Sequence, residues 1–185
     1  MPVARHRMVA SMRVLFSSTR GAGHLQPLLP YARALVARRP QVAVAAPEEV
    51  SKTVRDAGLP HLPFDHPGDD SLAPIWARLR GASEAEMMAI VASEIFAGVN
   101  ARTALPKLLA TIREWRPDLV VRDSVEYGAL VAAEAAGVRH ARVAVHSVSF
   151  EELFPPIVGA PLDALRAAVG LPLDGSSRRR APGSR

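Results

Sequence analysis

The stretch Arg13-Val14-Leu15-Phe16-Ser17-Ser18-Thr19-Arg20-Gly21-Ala22-Gly23-His24-Leu25-Gln26-Pro27-Leu28-Leu29-Pro30 constrains this chain more than any other. Val14, Leu15 and Phe16 are a short apolar run stopped by a turn signal, the pattern of a strand buried on both faces of a parallel sheet. From Leu25 the spacing turns helical. Pro27 falls in the first turn, where a missing N–H costs nothing, and Leu28, Leu29, Ala32, Leu35 and Val36 recur on one side. Strand, glycine turn and helix in that order predict that His24 is held at the carboxyl end of the strand. Open parallel sheets bind ligands outside those ends, and a neutral imidazole placed there is a competent general base.

The same unit recurs downstream. The helix is expected to end near Arg38-Arg39, before Pro40, and Val42–Ala46 reads as a second strand. Pro47-Glu48-Glu49 opens a helix running through Val50, Val54 and Ala57 to Gly58, and Leu59–Phe64 is a third strand whose prolines suit a sheet edge. Residues 65–74 read as an exposed loop. From Ile75 to Trp115 only helical periodicity is seen, more than a simple crossover needs. These helices are either a cover for the sheet or a cleft wall on which Met87, Met88, Ile95 and Phe96 meet an apolar ligand. Leu119-Val120-Val121 is a fourth buried strand ending at Arg122-Asp123-Ser124. A helix over Val125–Ala136 stops at Gly137, a fifth strand spans Val138–Val145, and His146-Ser147 follows. Short helices are expected around 151–154 and 162–169.

Alternating strands and helices predict an α/β fold, a Rossmann-like doubly wound parallel sheet. In the commonest such order, 3-2-1-4-5, the first and fourth strands flank the topological switch point, so His24 and Asp123 face one crevice although 99 positions separate them in the chain. An aspartate beside a histidine is a base with its orienter. His146 is a candidate for the crevice wall. His61, His66 and His140 lack ligand spacing, so no metal is expected.

Composition narrows the class. With 185 residues and 49% hydrophobic content the chain suits one domain, and the absence of cysteine excludes a disulfide framework and a thiolate metal site. The net charge of +5 does not mark a nucleic-acid protein, because Arg178, Arg179, Arg180 and Arg185 sit in the tail and Arg5 and Arg7 in the leader, leaving the body near neutral. No apolar run is long enough for a membrane span or a signal peptide, so the expected location is the cytoplasm. Residues 1–11 read as a flexible leader and 175–185 as a disordered basic tail.

The motif Ser17 to Pro30, followed at a distance by Arg116-Pro117-Asp118-Leu119-Val120-Val121-Arg122-Asp123-Ser124, resembles the opening of glycosyltransferases of the GT-B fold. It is most similar to actinobacterial enzymes that glycosylate macrolides, enediynes and other natural products. The resemblance runs from Met12 to Asp174, and it implies that residues 12–174 are the acceptor-binding domain, one half of a GT-B fold. It further implies an inverting transfer from a nucleotide sugar, a co-substrate rather than a bound cofactor, without metal or covalent intermediate. His24 is then the base that deprotonates a hydroxyl of a small hydrophobic acceptor, aided by Asp123. Gly23, Met87, Met88, Ile95, Phe96 and His146 are the acceptor-binding candidates. Pro40-Gln41 departs from the family's Gly-His. The donor-binding second domain is expected to be absent and the chain alone inactive. Two rival readings are an inactive remnant acting as a small-molecule binding module, and an NAD(P)-dependent oxidoreductase. The second is weakened because Gln26 stands where a Gly-x-Gly-x-x-Gly fingerprint needs its third glycine.

Overall fold

The computed structural model describes residues 12–38 and 40–173. Its centre is a five-stranded, fully parallel sheet in the order β3-β2-β1-β4-β5, formed by β1 (Arg13–Ser17), β2 (Gln41–Pro47), β3 (His61–Phe64), β4 (Leu119–Asp123) and β5 (Arg139–Val143). The chain moves outward from β1 to β3 and then returns across β1 to β4, so its crossover helices fall on opposite faces. One face buries Val14, Phe16, Val42 and Val44 beneath Leu25, Leu28, Leu29, Ala32 and Val54. The other buries Leu15, Ala43, Ala45 and Val120 beneath Leu105, Leu108, Ile112 and Val131. Successive residues of β1 thus point into different cores, as the period of two in a strand requires. The expected fold class and strand order agree with this architecture, and β3 lies at the edge.

The helices are α1 (Ala22–Leu25), α2 (Leu29–Val36), α3 (Ser51–Asp56), α4 (Asp69–Leu79), α5 (Glu84–Ile90), α6 (Ala101–Trp115), α7 (Tyr127–Ala135) and α8 (Val148–Ala168). Tight 3-10 turns at Gln26–Leu28 and Glu48–Val50 lead into α2 and α3, and a wide π-helical stretch, Val91–Asn100, joins α5 to α6.

Some of the expected boundaries need correction. The first helix begins at Ala22, not Leu25, because Gly21 at φ 115° turns the chain straight into α1 and its carbonyl accepts from the N–H groups of His24 and Leu25. A side chain at Gly21 would be strained in that conformation. The continuation of that helix, α2, ends at Val36, close to the expected Arg38-Arg39, and Arg39 lies outside the described residues. Residues 65–74 are not all loop. Asp69 and Asp70 sit in the first turn of α4, where acids suit the helix dipole, and Leu72 and Ile75 close onto Ile95. The short helices after β5 are one helix, α8, continuous through Pro155, Pro156 and Pro161; buried Phe154, Val158 and Leu165 supply tertiary packing that offsets the missing N–H donors. Finally, β5 spans only Arg139–Val143 and is largely exposed, as a charged edge strand can be. The expected leader at 1–11 and tail at 175–185 lie outside the described residues.

Candidate functional site

Both β1 and β4 run out at the same end of the sheet, with Phe16 beside Val121 and Ser17 beside Arg122. Beyond β1 the chain passes through Ser18, Thr19 and Arg20 into α1, which places His24 in the first turn of a helix. Asp123 is the last residue of β4 and is fully buried. The His24 Nδ1 lies 3.8 Å from Asp123 Oδ2 and has no hydrogen-bond partner; the imidazole is 17% exposed. The two side chains face each other just beyond hydrogen-bond length, and Nε2 is the nitrogen left for a ligand.

Backbone geometry immobilises Asp123. Its Oδ2 accepts from Thr19 N (2.9 Å), and its Oδ1 accepts from Val125 N (2.8 Å) and Glu126 N (2.9 Å). The turn into α7 therefore wraps around the carboxylate. Glu126, also buried, caps α7 by accepting from Gly128 N and Ala129 N, and takes the Ser17 hydroxyl at 2.9 Å. Burial, and next the neighbouring Asp123 charge, push the Glu126 carboxyl up to about 7. Arg122 is buried beside them, its Nη1 donating to the carbonyls of Asp123 and Ser124 and its guanidinium 5.9 Å from the Tyr127 ring. Sequence reasoning missed Glu126. The signal was present, since acids are enriched in the first turn of a helix and the expected helix opens at Val125.

The expected single crevice is two clefts parted by Phe96. The first, about 420 Å³, is lined chiefly by Met87, Met88, Phe96, His146, Phe150 and Phe154. His24 touches its rim through ring contacts, 5.4 Å to Phe96 and 5.6 Å to His146. The His146 ring is packed edge-on against Phe154 at 5.3 Å, and its Nδ1 lies 3.5 Å from both Ser124 Oγ and Glu151 Oε1. The second cleft, about 390 Å³, contains His24 itself with Ile95 and Phe96. Met87, Met88, Phe96 and His146 are thus brought together, whereas Ile95 belongs to the other side and is 4% exposed. Gly23 is exposed and lines neither cleft.

The π-helical stretch produces this partition. Gly98 breaks helical geometry at ψ −106°, and a Cβ there would approach the Ser93 carbonyl at 2.9 Å. The widened turns turn Ile95 and Phe96 toward the sheet end. Phe150 and Phe154 were not anticipated because they belong to α8, whose continuity the prolines disguised. Among the described residues no group of three or more His, Cys, Asp or Glu is arranged to hold a metal ion, and no helix is long and apolar enough to cross a membrane.

Comparison with known proteins places this arrangement. Residues 33–154, from within α2 into α8, match the family model described as erythromycin biosynthesis protein CIII-like, N-terminal domain. The chain is 35% identical over 167 residues to the L-demethylnoviosyl transferase of Streptomyces niveus, covering 86% of this chain and 41% of that one. It is 28% identical over 156 residues to the 3-alpha-mycarosylerythronolide B desosaminyl transferase of Saccharopolyspora erythraea, covering 71% of this chain and 36% of that one. The chain therefore spans less than half the length of the curated relatives it matches. Among solved structures, the glycosyltransferase SsfS6 of Streptomyces sp. SF2575 superposes with a TM-score of 0.71 and 25% identity, over 86% of this chain and 47% of that one. Sheet order, relatives and structural neighbours all point to one half of a GT-B glycosyltransferase, and the chain belongs to the erythromycin biosynthesis protein CIII-like N-terminal domain family.

Proposed function

We propose that this chain is the acceptor-binding part of an inverting glycosyltransferase that moves a sugar from a nucleotide-sugar donor to a hydroxyl of a small hydrophobic natural product. The observation that carries this reading is the pair of His24 and Asp123, 3.8 Å apart at the meeting of two clefts. A hydroxyl is a poor nucleophile until a base takes its proton. The acceptor O–H gives its proton to His24 Nε2 as its oxygen bonds to the anomeric carbon. The bond from that carbon to the nucleoside diphosphate breaks on the opposite face, the leaving group departs with the electron pair, and the configuration inverts. Asp123, held by three backbone N–H groups, faces the imidazolium that forms. Catalytic contacts of this kind often tighten only with substrate bound. Met87, Met88, Phe96 and His146 form an apolar bed on which the acceptor lies, adaptable because methionine repacks readily.

Rate in such a reaction depends on holding oxygen and anomeric carbon near contact. The chain by itself is expected to bind acceptor and to transfer no sugar. Joined to the second half of L-demethylnoviosyl transferase and supplied with that enzyme's donor, it is expected to glycosylate members of a panel of apolar hydroxyl compounds, followed by mass spectrometry. Replacing His24 by alanine should lower kcat by roughly 100-fold or more, the scale of a lost general base. Undiminished transfer by the His24→Ala protein would overturn the assignment of the base.

A further inference from the structure

The cleft on the far side of Phe96 holds a set of residues that the reading above leaves unused. Trp76, on α4, is 48% exposed, while its neighbours Leu72 and Ile75 pack inward on Ile95. An indole left half in water keeps a large apolar face hydrated. Around that face the same cleft gathers Arg20, His66, Asp69 and Asn100. The His66 Nδ1 is engaged with its neighbour's carbonyl, Pro67 O, at 3.0 Å, which leaves Nε2 for a ligand. Asn100 spends one end of its amide on Thr19 Oγ1 at 3.4 Å, and its Oδ1 has no partner.

The mixture decides among ligand classes. An apolar ring laid in this cleft would displace water from Arg20, His66, Asp69 and Asn100 and offer none of them a hydrogen bond in exchange. A phosphate needs converging cations or backbone N–H groups, and here the Asp69 carboxylate stands among them. A pyranose meets both demands. The C–H bonds on one side of its ring carry partial positive charge and suit the negative face of an indole, while its rim hydroxyls both donate and accept. Arg20 donates, Asp69 accepts, His66 Nε2 accepts because the Nδ1 proton is spent on Pro67 O, and Asn100 offers an accepting Oδ1 and the second hydrogen of its amide nitrogen.

We propose that this second cleft is a pyranose subsite, so that the acceptor whose hydroxyl His24 activates already carries a sugar ring. This rests on the functional reading above and deepens it. The two clefts share Val91 and Phe96, so one molecule lying across Phe96 presents its apolar body to Met87 and Met88, its sugar to Trp76, and the hydroxyl between them to His24. A pyranose could also arrive as the sugar of the donor, and the test separates the two sources.

The test uses the chain itself with three probes: 2-naphthol, 2-naphthyl β-D-glucopyranoside and dTDP-glucose. The sequence has two tryptophans, so the indole N–H signal of Trp76 in a 15N-labelled sample is assigned by its loss in Trp76→Ala. Naphthol is expected to bind without moving that signal. The glucoside is expected to bind about tenfold more tightly and to shift it, the gain one or two good contacts supply. Trp76→Ala and Asp69→Ala, both on exposed positions, should reduce the glucoside to the affinity of naphthol and leave naphthol unchanged. Equal affinity of glucoside and naphthol, or an unmoved Trp76 signal, would overturn the subsite while leaving the acceptor cleft standing. Failure of both compounds to bind would overturn the cleft as well. A Trp76 shift produced by dTDP-glucose would assign the ring to the donor and overturn the proposal.

Discussion

Among the described residues two histidines face buried carboxylates, and the two carboxylates are held in opposite ways. Asp123, opposite His24, accepts three backbone N–H groups from two different loops. Glu151, opposite His146, is 8% exposed, and neither of its oxygens has a hydrogen-bond partner. It sits 3.5 Å from His146 Nδ1 and 3.3 Å from Arg142 Nη1, on a side chain 49% exposed. Backbone donors cannot move away without unwinding the turn that carries them, whereas an arginine on an edge strand can swing into water. The first pair is therefore built for fixed geometry. The second is an ion cluster that ties α8 to β5.

The largest expected effect breaks the first pair. Asp123→Ala removes the acceptor for three N–H groups, and with each orphaned buried donor costing about 1 kcal/mol or more the variant should lose roughly 3 kcal/mol or more of unfolding free energy. Asp123→Asn keeps one acceptor oxygen and should lose visibly less. Urea unfolding of both variants measures this. An Asp123→Ala loss no larger than that of Glu151→Ala would erase the distinction between the two pairs.

A second effect sharpens the account of the first region. The Glu126 carboxyl titrates near 7 when folded, against 4.5 for an unburied one. The folded state therefore holds a proton that the unfolded chain has released, so this contribution is complete below pH 4.5 and declines as pH rises to 7. The decline amounts to at most roughly 3 kcal/mol, taking 1.36 kcal/mol per pH unit. The urea midpoint should fall between pH 5 and pH 7.5, and Glu126→Gln should flatten that fall. A midpoint that rises over the same interval would contradict the burial argument.

The smallest effect belongs to the second pair. Because Arg142 is half in water, Glu151→Gln should change stability by about 1 kcal/mol or less, and the difference should shrink in molar salt. Thermal unfolding at low and high ionic strength checks it. A loss of several kcal/mol, insensitive to salt, would place Glu151 in the same class as Asp123.

How much could be read beforehand depended on the range of the interactions. The β1 turn and the β4 end announced themselves through apolar runs and glycine, and doubly wound topology put His24 and Asp123 together before any coordinates. The location of α4 was hidden because Pro67-Gly68-Asp69-Asp70 has loop composition, while the residues that make it helical, Leu72 and Ile75, find their partner Ile95 twenty positions later. The unbroken α8 was hidden because three prolines argue for a break, and packing through Phe154, Val158 and Leu165 overrides them.

The pattern of the chain alone called for the parallel sheet and for the end at which chemistry can occur, and the commonest strand order of that class is the one the structure has. These follow from local periodicity and from connection rules that act on every chain of this pattern. Only the tertiary structure decided that Phe96 splits the crevice in two, that Ile95 and Met87 stand on different sides of it, and that Trp76 borders the half containing His24. The physical reason is the widened helix of Val91–Asn100. Its turns are set locally by Gly98, where a Cβ would meet the Ser93 carbonyl five positions back, and at a distance by packing on α4 and α8, whose residues no short window of sequence holds together with it.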